Sequence, residues 1–123
     1  MAVKNICYGS TDTLLTNITS IMKDHIEDAI DVGWSIYAVD AVRGRCCYSD
    51  KTLTIPLFAL KRGLNYKLWY ISHEVAHIYS MGDHHGPIFM KQLKIICPPE
   101  AIIHEIGYKP LNAVKAGILC TDF

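Results

Sequence analysis

His73, Glu74 and His77 stand in the order His73-Glu74-Val75-Ala76-His77, and Asp83-His84-His85-Gly86-Pro87 follows a few residues on. On an α-helix, positions four apart are separated by about 40° and one turn of rise, so His73 and His77 point the same way. Two imidazoles at that spacing can bind one Zn2+ without distorting the backbone. Glu74, roughly 100° round from His73, can then work on a water held at the metal without being a ligand. The chemistry expected of such a set is metal-assisted amide hydrolysis with Glu74 as general base and one zinc per chain. HExxH alone is a short pattern that also turns up on ordinary helices, so its surroundings decide its meaning.

A hydrolytic zinc site needs a third protein ligand and a position left open for water. Asp83, His84, His85, Glu100, His104 and Glu105 are the candidates. The metzincin arrangement HExxHxxGxxH would put a ligand at Asp83 and a glycine at Ser80, and fits poorly. A glutamate from a following helix, as in gluzincins, would nominate Glu100 or Glu105. Stabilising the oxyanion calls for one more donor, for which Tyr108, Tyr70, Tyr66 and His84 are available. For each tyrosine the competing role is a core ring with a satisfied hydroxyl.

The helix carrying the motif is expected from Asn65, as a cap, to about Ser80, with Gly82 past its end. Leu68, Ile71, Val75 and Ile78 form one apolar stripe on it. His73 and His77 group with Tyr66, Tyr70 and Ser80 on the far side, and only Lys67 and Glu74 give a charged edge. A helix that is apolar or aromatic nearly all round is buried, so its histidine face should line an enclosed cleft. Burial also makes an unpaired Glu74 carboxylate expensive by several kcal/mol, a cost that a nearby divalent cation would offset.

Around this helix the pattern is α+β. A first helix over residues 10–32 is capped by Ser10 or Thr11 and ended by Gly33, with Leu14, Leu15, Ile18, Ile21, Met22, Ile26 and Ile30 on its apolar face. His25, within it, has no partner at ligand spacing and is expected to be a satisfied surface histidine. Residues 34–39 read as a strand. Residues 45–48 and 52–55 read as a hairpin about Ser49-Asp50-Lys51, closed by Pro56. A helical turn over 57–62 precedes the motif helix. A third helix opens on Pro87 and runs to about Ile96, with Phe89, Met90, Leu93, Ile95 and Ile96 inward. Further short helices are expected over 100–106, ended by Gly107, and 111–116.

Composition bounds the function. Half of the 123 residues are apolar and a fifth charged, the 12 Lys and Arg balancing the 12 Asp and Glu. That is one globular domain, residues 1–123, without the basic footprint of a nucleic-acid binder. No apolar run approaches the ~20 residues that span a bilayer. The first residues lack the long apolar core of a secretory signal, so a cytoplasmic location is expected. Cys7, Cys46, Cys47, Cys97 and Cys120 make an odd set without CxxC spacing, which argues for reduced thiols over a disulfide framework or zinc ribbon. Cys46 and Cys47 would face opposite sides of a strand.

His85-Gly86-Pro87-Ile88-Phe89, shortly after HExxH, and the strand pair Gly44-Arg45-Cys46-Cys47-Tyr48 to Leu53-Thr54-Ile55 resemble the SprT-like zinc metallopeptidases. The likeness covers roughly residues 44 to 97 and suits the small stand-alone versions in bacteria and their phages. It implies a zincin-like fold with an N-terminal helix, a small antiparallel sheet, a central HExxH helix and C-terminal helices. It also implies His85 as third ligand beside His73 and His77, a protein or peptide substrate, and the host cytoplasm if the chain is phage-encoded. The cysteine-rich ribbon or basic extension that helps such proteins engage DNA has no counterpart here, so a role at DNA crosslinks is not expected. Two other readings compete. A zinc-stabilised protein that binds a host partner with little turnover would use the metal as a staple. An ImmA-type peptidase that cleaves a repressor would take Glu100 or Glu105 as a ligand.

Overall fold

The helix expected over 10–32 is interrupted: Leu14 and Leu15 are helical, Thr16 and Asn17 turn, and helix α1 (Ser20–Asp31) begins where Thr19 accepts the Met22 N–H on its hydroxyl at 3.1 Å. Asn17 takes a left-handed φ of 61°, which a right-handed helix cannot run through. Ser10 and Thr11 lie outside the described residues, which are 14–108 of the computed structural model. Met22, Ile26 and Ala29 form its buried face, while Ile21, expected inward, is half exposed. His25 is satisfied as anticipated: Nδ1 meets the Ile21 carbonyl at 2.8 Å and the ring sits edge-on to Tyr79. Gly33, at φ 107°, turns the chain out of the helix.

Three strands follow, β1 (Ser35–Val39), β2 (Arg45–Cys47) and β3 (Thr52–Pro56), in the spatial order β1-β3-β2. β2 and β3 form the expected antiparallel hairpin, with Arg45 opposite Thr54. The sheet is nevertheless mixed and not purely antiparallel, because β1 runs parallel to β3, from Ser35 opposite Thr52 to Val39 opposite Pro56. β2, next in the chain after β1, runs the opposite way along the outer edge of β3, which returns β3 to the direction of β1. Ile36, Ala38, Leu53 and Ile55 alternate onto the core face and are fully buried, whereas Thr52 and Thr54 are half-buried.

Helix α2 (Leu57–Lys61) leads through Gly63, at φ 115°, into α3 (Leu64–Ile78). Asn65 is thus inside α3 and not its cap. Every residue from Lys67 to Ala76 is buried except Tyr70, which is half-buried. The expected central helix is therefore present, and even Lys67, expected on a charged edge, is folded in. Its ammonium donates to the Thr16 carbonyl at 2.7 Å, and burial lowers its pKa. Helix α4 (Pro87–Ile96) matches expectation with Pro87 in its first turn, though Ile95 is half exposed. Helix α5 (Ile103–Tyr108) starts later than expected and runs through Gly107. The helix expected over 111–116 lies outside the described residues.

Among the described residues the architecture is mixed α+β, with five helices and one three-stranded sheet, and no helix is long and apolar enough to cross a membrane. Cys46, Cys47 and Cys97 are free thiols. The sheet is tied to the C-terminal end of α3 by the Tyr48 hydroxyl, which donates to the His77 carbonyl at 2.5 Å. Tyr48→Phe should lower the unfolding free energy by about 1 kcal/mol, read from urea denaturation. An unchanged midpoint would mean the tie contributes nothing.

Candidate metal centre

α3 places His73 and His77 one turn apart with ring centroids 5.1 Å from each other. His85 comes from the loop between α3 and α4 and lies 5.0 Å from the His73 ring and 4.8 Å from the His77 ring. One ligand nitrogen from each falls within 4.8 Å of the others, so the three imidazoles can hold a metal ion. His73 Nε2 and His85 Nε2 approach to 3.2 Å.

The loop reaches this position through successive tight turns: Asp83 N–H to Ser80 carbonyl and Gly86 N–H to Asp83 carbonyl, both at 2.9 Å. Gly82, His84 and His85 all have positive φ, 83°, 44° and 69°. For the two histidines that is a strained conformation of a kind found at functional sites. Asp83 holds the turn. Its Oδ2 accepts the Phe89 N–H at 2.8 Å, satisfying one of the open donors at the start of α4. Gly86 is needed because of Asp83, since a Cβ there would lie 2.6 Å from the carboxylate oxygen. Phe89, fully buried, floors the site with its ring 4.5–4.9 Å from all three imidazoles.

Behind His73 lies Glu105 of α5, fully buried. Its Oε1 accepts the Trp69 indole N–H at 2.7 Å and meets His73 Nδ1 at 3.0 Å. Indole is a donor only, so this oxygen is an acceptor and His73 Nδ1 carries the proton. The His73 Nε2 lone pair is then left facing His85, the tautomer a metal ligand requires. His77 is pushed down to about 3, first by burial and then by the neighbouring His73 and His85, which keeps it a neutral ring at pH 7.

Glu74 is 8% exposed, and burial pushes its carboxyl up to about 7 against the opposing pull of His73. It lines a cleft of about 920 Å3 together with the three histidines, Gly44 and Arg45. Gly44 sits against it: a Cβ at that position would be 3.1 Å from the Glu74 carboxyl carbon and 2.8 Å from the Thr54 carbonyl. Cys46 also lines the cleft, and burial followed by Glu74 pushes its thiol up to about 12.

Tyr108 and His84 both open onto the cleft. Tyr70 accepts the Gly44 N–H on its hydroxyl at 2.8 Å, and Tyr66 packs against Trp69 and Phe58 away from the main cleft. The other acids and His104 are not brought into the histidine cluster. Glu100 is exposed, Asp83 caps α4, and His104 stacks beside Tyr66 and Trp69. Glu105, a ligand candidate from sequence, contacts the far nitrogen of His73 instead. The floor formed by Phe89 and the cap formed by Asp83 were not read from the sequence, although the Asp83-x-x-Gly86-Pro87 spacing carries a signal for the cap.

No protein-family model, curated protein or solved structure matches the chain.

Two results are expected. Asp83→Ala should lower stability by about 1 kcal/mol in thermal unfolding and weaken metal binding, because His85 loses its anchor; an unaltered affinity would separate the cap from the site. Glu105→Gln should keep the fold but weaken divalent-metal affinity by roughly 10–100-fold in competition with a chromogenic chelator. Wild-type affinity in that variant would show that the negative charge of Glu105 is not needed behind His73, since the amide oxygen can still accept its N–H.

Proposed function

We propose that the chain is a zinc-dependent metallopeptidase, with His73, His77 and His85 as ligands and Glu74 as general base. The observation that carries this reading is the convergence of three imidazoles and one buried carboxyl on a single open cleft. All-nitrogen ligation by three histidines suits zinc and leaves a fourth position for chemistry. Two nitrogens about 2.0–2.1 Å from a tetrahedral ion lie roughly 3.3–3.4 Å apart, close to the 3.2 Å between His73 and His85. Zinc held here would supply Lewis-acid polarisation of a water and of the scissile carbonyl.

The chain's own groups do the rest. Glu74 takes a proton from the attacking water on its carboxylate and delivers it to the departing amide nitrogen. A cation beside it would favour the ionised form that this role requires, against the burial that raises its pKa. Glu105 holds the His73 ring, and the strained turn at His84 and His85 presents the third nitrogen. Tyr108 and His84 are the donors open to the cleft that can meet a developing oxyanion. The zincin-like and SprT-like readings are supported by the buried motif helix beside a small sheet and by the physical sense of His85-Gly86-x-x-Phe89. The ImmA-type alternative is less well supported, because Glu105 faces the far side of His73 from His85. Substrates would be proteins or peptides in the cytoplasm, with no strong nucleic-acid contact from a charge-balanced chain.

Glu74→Gln should retain one zinc per chain while losing roughly 10²–10⁴-fold of the hydrolysis of unfolded protein or quenched fluorogenic peptides. Full activity in that variant would overturn the mechanism. A wild type that holds zinc, unfolds on chelation and cuts nothing would favour the alternative of a zinc-stapled binding protein.

A further inference from the structure

A second cavity, of about 230 Å3, opens beside the main cleft. Val42, Arg43, His73, Glu74 and Tyr108 line both, so the smaller cavity adjoins the place where a bond would be cut. Its remaining walls are aromatic: Phe58, Tyr66, Trp69 and Tyr70. These rings are held in place. The Trp69 indole is fixed by Glu105 and the Tyr70 hydroxyl by Gly44, while Arg62 covers the Tyr66 face at 4.9 Å. Phe58 meets Tyr70 edge-on at 6.0 Å, yet is 39% exposed, and Tyr108 is 50% exposed. Rigid aromatic walls with open faces gain by covering apolar surface.

Charge narrows the occupant. Glu74 and Arg43 both border the cavity. A charged side chain of either sign would meet a like charge, Glu74 or Arg43, and would have to shed its water at the aromatic walls. An uncharged, bulky side chain meets neither penalty.

We infer that this cavity is a specificity pocket that receives an aromatic or large aliphatic side chain from a residue adjoining the scissile bond. The inference rests on the peptidase reading for what holds the rest of the substrate. His73 and Glu74 reach both cavities, so a peptide engaged at the histidines can place a neighbouring side chain directly against Phe58 and Tyr66.

The test uses the zinc-loaded full chain and the hydroxamates of phenylalanine, leucine, alanine and aspartate, with binding followed by calorimetry. Phenylalanine and leucine hydroxamates should bind at least ~10-fold more tightly than the alanine compound, and aspartate hydroxamate should not share the gain. Phe58→Ala should shrink the preference for phenylalanine while leaving the affinity for alanine hydroxamate unchanged, which a general loss of structure would not do. Equal affinity for all four probes overturns the pocket. A parallel assay compares peptides that differ only by Phe or Ala at each position flanking the cut. Glu74-dependent cutting with no preference also overturns the pocket. Absence of any cutting, with the hydroxamate preference retained, removes the peptidase reading and leaves the pocket standing as a binding site.

Discussion

A carboxylate buried without water is costly unless donors surround it. Glu105 answers that requirement by placing one oxygen between the Trp69 indole and the His73 ring. The two donors stand one turn apart on α3, so a single acceptor from α5 fixes both the packing of the aromatic cluster and the proton on His73. On the cleft side His73 presents a bare nitrogen to His85, while the His77 ring is kept neutral by its own burial and by the two neighbouring imidazoles. The candidate metal site is built outward from an acid on the far side of His73.

The loop after α3 solves a second problem, which is to bring a residue from the next helix's approach back over the previous helix's face. Left-handed backbone at Gly82, His84 and His85 achieves the reversal, and Asp83 stabilises it by capping α4. Gly86 then has to be glycine, because the Asp83 carboxylate occupies the space of a side chain. Phe89 has to be large and flat, because three imidazoles rest on it. The short pattern His85-Gly86-x-x-Phe89 is thus the visible part of a cap, a turn and a floor.

Much of this was legible in sequence. The periodicity of α3, Pro87 at the head of α4 and the hairpin spacing are local signals, and the structure has these elements within a residue or two. The placement of His73, Glu74 and His77 was legible for the same reason, since it follows from helical spacing; His85 was singled out by the likeness of His85-Gly86-x-x-Phe89 to a known pattern, and it does meet the other two imidazoles. What depends on distant partners was not legible. Glu105 lies far along the chain from His73, and nothing in its neighbourhood separates a ligand from a hydrogen-bond partner. The parallel pairing of β1 with β3 and the inward fold of Lys67 onto the Thr16 carbonyl are likewise tertiary choices. The break ahead of α1 was missed because an apolar repeat continues across Asn17, where the helical backbone does not.

Gly44 gives the cleft one more property. The main chain entering β2 comes close to the Glu74 carboxyl and the Thr54 carbonyl on one side of Gly44, and its N–H donates to the Tyr70 hydroxyl. At this point the cleft wall is backbone with no side chain, which leaves room for the Glu74 carboxyl. A side chain added at Gly44 would crowd Glu74 directly, whereas Arg43 and Arg45 line the cleft beside it and leave this contact alone.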